Sequence, residues 1–205
     1  VNGYPFVLWL IAGIIPWFLF SEIMNSGTNV LVEYTYPVKK IVFNISVLPA
    51  VKIVTATIIH LFFIVLMFVI FAVSGYYPSL YAIQIIYYLI ALWILSAGMV
   101  YITSAIVVFF KDLTQVVNIL LQVFIWITPI MWNDEVMLAT HPTIGFIIRL
   151  NPMYYIVAGY RDSMINRVWF FEKPEMTIYF WVVTILIFVF GSSIFRRLRP
   201  HFADV

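Results

Sequence analysis

Asp134 with Glu135, and Glu172 with Glu175, are the carboxylate pairs that could share a proton in acid–base work, and His60, in VTATIIHLFFIVLMF, is the one ionisable side chain well inside an apolar run. General acid–base chemistry needs a second group within hydrogen-bond reach of the proton being moved, and a bound metal needs several converging ligands. Neither carboxylate pair has a histidine or a metal-ligand cluster beside it, so both read as solvated loop faces. Thr55 and Thr57 are the nearby polar residues on the His60 helix, which favours a neutral imidazole bonded within a helix bundle over a proton relay. The chain has no cysteine, and none of its eight glycines falls in a G-x-x-x-x-G-K-[ST] phosphate cradle. Asn44-Ile45-Ser46 matches a glycosylation acceptor but is expected to face the cytoplasm. No Ser-His-Asp arrangement is visible. The residues argue for a non-enzymatic chain that binds no cofactor or metal of its own.

The elements that carry these residues are dictated by composition. The 205 residues are 64% hydrophobic, 19% aromatic and only 10% charged, with a mean hydropathy of +1.06. One soluble core cannot absorb that much apolar surface. A crossing helix needs about 20 mostly apolar residues, and five uncharged windows of that order are present, at 3–21, 53–73, 81–110, 113–132 and 176–195. None alternates polar with apolar residues as a barrel strand does. An all-α membrane bundle in one domain, 1–205, is expected.

Charge gives the bundle a direction. Lys39, Lys40, Lys52, Lys111, Arg196, Arg197 and Arg199 crowd near helix ends on one side. Arg149, Arg161, Arg167 and Lys173 are scattered on the other, through a segment, 133–175, that also carries acids. The first side is expected to be cytoplasmic, with the C-terminus. The uncharged turn SGYYPS, 74–79, suits a tight external connection. An odd number of crossings then places Val1 outside with no basic leader to deliver it, so a preceding sixth crossing is expected. The net charge of +2 gives no indication of nucleic acid as a partner.

Two segments between the windows are unlike plain loops. In YPVKKIVFNISVLPAVK, 36–52, aromatic and aliphatic residues are interleaved with lysines. An Arg or Lys at mid-bilayer costs about 2.5–3.5 kcal/mol, so Lys39 and Lys40 must lie outside the hydrocarbon. A short interfacial helix fits, with Pro37 in its first turn; it could be a topological anchor or a docking element. From Ile130 to Lys173, apolar runs too short to cross and too greasy for an exposed loop suggest helices that enter the outer leaflet and turn back. Asn151-Pro152 reads as a helix start, Asn capping and Pro in the first turn. Arg161 and Asp162 are expected near that helix's far end, facing water or each other. Trp126, Trp132, Tyr154 and Tyr155 are expected to cluster at an external mouth, where aromatic faces would suit sugars.

GIIPWFLFSEIMNSGTNVLVEYTYPVKKIVFNISVLP, 13–49, resembles the second span and coupling segment of the ABC transporter permeases that export O-antigen, teichoic acid and related polysaccharides. VFFKDLTQVVNILLQ, 108–122, resembles that family's cytoplasmic link, with Lys111 and Asp112 as its basic–acidic pair. WITPIMW, 126–132, is similar to the Pro-containing end of the fifth span, LNPMYYIVAGYRDSMI, 150–165, to the external helix, and FRRLRPHFADV, 195–205, to the basic tail. The pieces occur in the family's order; Asn44 stands where the family often has Pro. The resemblance implies a permease subunit that pairs with a second copy and with two ABC ATPase subunits, which hold ATP and Mg. It implies ATPase coupling through Tyr36, Pro37, Lys39, Lys40, Ile41 and Phe43. The residues themselves lead to the expectation of a channel and external gate drawing on Trp126, Pro129, Trp132, Asn151, Pro152, Tyr154, Tyr155 and Arg161, with the sugar substrate taken from the resemblance. Membrane lipids surround such a chain, an undecaprenyl-linked polysaccharide is its substrate, and the bacterial cytoplasmic (inner) membrane is its expected location. An ABC permease exporting a drug, lipid or other small substrate would share the docking segment and lack only the sugar-lined path.

Overall fold

The computed structural model describes residues 3–33, 45–133 and 140–203. Among them there is no strand; nearly all lie in helices. Four helical stretches are long and apolar enough to cross a bilayer: Phe6–Glu33, Ile45–Val73, Leu80–Val107 and Pro174–Phe202. Their α-helical parts are α1 (Phe6–Glu33), α2 (Leu48–Val73), α3 (Gln84–Val107) and, last in the chain, α7 (Pro174–Leu198). Between α3 and α7 come α4 (Leu113–Ile127), α5 (Pro142–Arg149) and α6 (Pro152–Arg161), the last running into a π turn, Asp162–Asn166.

α1 runs well past the uncharged window at 3–21 because its polar residues need no water to be satisfied. Ser21, Ser26 and Asn29 donate to the carbonyls of Phe18, Glu22 and Asn25, three or four residues back, so the helix continues through polar sequence to Glu33. α1 is the hub, packing on α2, α3, α4 and α6. Leu8, Ala12, Ile23, Met67, Phe71, Leu92, Ile156 and Phe180 form the dry centre.

α3 and α7 make the most extensive pairing, and glycine permits it. A Cβ at Gly191 would lie 2.2 Å from the Gly98 carbonyl oxygen, and one at Gly98 2.8 Å from the Phe188 Cα. Small residues that let backbones touch are the usual currency of helix association in lipid.

The outward faces are as apolar as the centre. On α2, Val54, Ile58, Phe62, Val65 and Val69 are each half exposed or more; on α7, Ile178, Val182, Leu186 and Phe190 are. Spacings of three and four residues put each set on one stripe, and hydrocarbon is the solvent such stripes require. The chain is a multi-pass helical membrane protein.

α4 differs from the expected window, 113–132. It has 15 residues, about 22 Å of rise, against about 30 Å of hydrocarbon. Its end is set by Pro129, whose ring disfavours the helical conformation in the residue before it; Thr128 is accordingly extended, with ψ 128°.

Candidate functional site

The site is built where α6 meets the first turns of α1, the end of α4 and the start of α7. α6 begins as its sequence dictates. The Asn151 side-chain oxygen accepts from the Met153 amide at 3.0 Å, and Pro152 occupies the first turn. The Asn151 amide nitrogen donates in turn to Thr128 Oγ1 at 2.8 Å, tying the α6 cap to the break after α4.

Arg161, at the other end of α6, does not face water or Asp162. It is 6% exposed. Its guanidinium donates to the Pro129 carbonyl at 2.7 Å, the Ile130 carbonyl at 2.8 Å and the Trp9 carbonyl at 3.4 Å, and it sits over the Trp9 ring, 3.4 Å from the centroid. A buried guanidinium is expensive unless its donors are met. The break at Thr128–Ile130 meets them, because carbonyls released from the helix ladder turn towards the cation. Gly13 makes room: a Cβ there would stand 2.6 Å from an Arg161 terminal nitrogen. Asp162, also buried, holds Lys173 in an ion pair and accepts from Asn166 at 2.8 Å.

Tyr154 and Tyr155 are buried as well. Tyr155 stacks on Phe180 and shares hydroxyl hydrogen bonds with Tyr87 and Thr177, each at 3.0 Å; Trp181 donates to Tyr87 at 2.8 Å, and Thr177 to the Phe170 carbonyl at 2.8 Å. A continuous polar chain thus links α3, α6 and α7. Tyr160 bonds His60 Nε2 at 3.0 Å, the imidazole contact within the bundle expected for His60.

A cleft of about 490 Å³ opens beside these contacts, lined among others by Trp9, Arg149, Tyr154, Arg161, Asp162 and Lys173. Glu172 and Glu175 stand exposed on its wall. Side chains of both charge signs line it beside the Trp9 and Tyr154 rings. Among the described residues no three His, Asp or Glu converge as a metal site.

The aromatic residues expected at one mouth therefore separate. Tyr154 and Tyr155 are internal, whereas Trp126 is 66% exposed on α4, and the Trp132 indole folds back to donate to the Trp126 carbonyl at 2.9 Å. Structure brings together Pro129, Asn151, Pro152 and Arg161, and adds Trp9 and Thr128. No local signal marks these two, since their roles arise from partners far away in sequence. Lys111 and Asp112 occupy the exposed turn between α3 and α4. Tyr36, Pro37, Lys39, Lys40, Ile41 and Phe43 lie outside the described residues.

Residues 1–165 match the model of the ABC-2 type transporter family. An O-antigen export system permease protein, RfbA, of Klebsiella pneumoniae is 29% identical over 206 residues, covering 98% of this chain and 75% of the relative. A protein of the same name from Myxococcus xanthus is 24% identical over 204 residues, covering 100% of this chain and 76% of its own length.

Proposed function

The chain belongs to the ABC-2 type transporter family, and we propose that it is the membrane subunit of an ATP-driven exporter of lipid-linked polysaccharide, of the O-antigen or teichoic-acid kind, in the bacterial cytoplasmic membrane. The observation that carries this reading is the alignment of permeases named for O-antigen export along 98–100% of the chain. The cleft lined by Trp9, Tyr154 and charges of both signs supports a polyhydroxylated substrate.

The working unit is two copies of the permease with two ABC ATPase subunits, since one small bundle does not enclose a path wide enough for a hydrated polymer. ATP and Mg belong to the ATPase; this chain supplies the path and the handle. The handle is the segment carrying Tyr36, Pro37, Lys39, Lys40, Ile41 and Phe43, with its lysines held in the cytoplasm and its apolar residues seated on the ATPase. The C-terminus lies on the same side. Closure of the ATPases pushes on this handle and separates the two bundles. α6, pinned by Arg161, is the fixed part of an external gate; α5, whose Ile144, Phe146 and Ile147 are exposed, is its looser part.

Replacing Lys39, Lys40 and Phe43 together is expected to abolish copurification of a co-expressed ABC ATPase subunit; unchanged assembly and export would remove the handle from this segment. ATP hydrolysis by the reconstituted complex is expected to rise with lipid-linked polysaccharide. A rise with small amphiphiles and none with polymer would point instead to an ABC-2 exporter of drugs or lipids.

A further inference from the structure

We propose that Glu33 and Lys52 form a coupling clamp: an ion pair that closes the base of the 34–44 segment and makes α1 and α2 move with it as one unit. Lys52 Nζ donates to Glu33 Oε2 at 2.7 Å, across 19 residues of sequence. Glu33 is the last residue of α1 and Lys52 the fifth of α2, so the pair joins the helix entering the segment to the helix leaving it.

Glu33 is not placed where its own helix favours it. A helix's carboxyl end carries partial negative charge, yet the carboxylate ends α1, which has no basic residue in its last turn to compensate. Lys52, past the first turn of α2, supplies the opposite charge from the neighbouring helix.

A second strut lies one turn deeper. Thr114 Oγ1 donates to Asn29 Oδ1 at 2.6 Å, fastening α1 to the start of α4, and Thr28 donates to Thr103 on α3 at 2.8 Å. Displacement of 34–44 therefore reaches α2 through Lys52 and α4 through Asn29, where the exposed face of α4 carries Val116, Ile119, Val123 and Trp126. An exposed ion pair adds little to stability. Its use here is to hold two chain ends at fixed separation, so that a push on the segment becomes a helix movement and is not absorbed by splaying of its base. Glu33 and Lys52 are positioning residues for transport, and the inference rests on 34–44 being the handle.

The test uses the full permease–ATPase complex in proteoliposomes, with lipid-linked polysaccharide export and ATP hydrolysis measured together. Glu33→Gln and Lys52→Gln are each expected to leave the ATPase bound and to lower export per ATP about fivefold or more. The exchanged pair, Glu33→Lys with Lys52→Glu, is expected to restore at least half of that ratio. A ratio unchanged in the single variants, or lowered in them and not recovered by the exchange, overturns the clamp. Failure of the unaltered permease to bind the ATPase would overturn the proposed function and the clamp with it, a result distinct from a changed export ratio in a complex that assembles.

Discussion

The Arg161 guanidinium lies over the Trp9 indole, 3.4 Å from the ring centroid, although 152 residues separate the two in sequence. With the Pro129 and Ile130 carbonyls on its terminal nitrogens, this one side chain fastens α6 to the outset of α1 and to the break after α4.

Lysine cannot replace it. An ammonium has the charge but lacks the planar fork that reaches two carbonyls while stacking on a ring. Arg161→Lys is expected to cost about 2 kcal/mol or more and to lower the melting temperature of the detergent-solubilised protein by several degrees. A melting temperature equal to that of the parent would mean the contacts carry no load.

His60 and Tyr160 are expected to act as a pair. Deleting either partner, as His60→Ala or Tyr160→Phe, removes the same 3.0 Å hydrogen bond. A double-mutant cycle on unfolding should therefore give a coupling energy of about 0.6 kcal/mol, with about 1.7 kcal/mol as the upper end for such bonds in membrane proteins. Purely additive losses would separate the two residues.

Trp126 and Tyr155 should fail in different ways. Tyr155→Phe strips the hydroxyl from a buried network joining Tyr87 to Thr177 and is expected to cost about 1–3 kcal/mol of stability. Trp126→Ala removes a largely exposed ring and should leave stability within about 0.5 kcal/mol while reducing export several-fold. Wild-type export by the Trp126 variant would take this residue out of the polymer path.

Gly191→Ala tests the closest helix contact. The added methyl would lie 2.2 Å from the Gly98 carbonyl oxygen, a backbone atom with no rotamer to escape into, so α3 and α7 must part. A loss of about 1–3 kcal/mol is expected, read as a lower melting temperature and a reduced yield of monodisperse protein. Tolerance of alanine, with both measures unchanged, would show that the two helices have slack between them.

The sequence by itself determined the solvent, the helical class and most helix positions, because apolar content and the length needed to cross hydrocarbon are local quantities. The cap at Asn151-Pro152 was equally legible, since its atoms are neighbours in the chain. The ends of α1 and α4 were less so: hydropathy marks where apolar sequence stops, whereas α1 continues on side chains that satisfy themselves and α4 halts at the residue before Pro129. Only the tertiary structure decided what Arg161 does. From sequence it is a cation near a helix end, with water or Asp162 as natural partners. Folding instead presents it with the released carbonyls of a broken helix and a tryptophan from the start of the chain, and the cost of burying a guanidinium makes that site its place. The same holds for Glu33 and Lys52, two ordinary charges until the bundle closes and leaves them 2.7 Å apart.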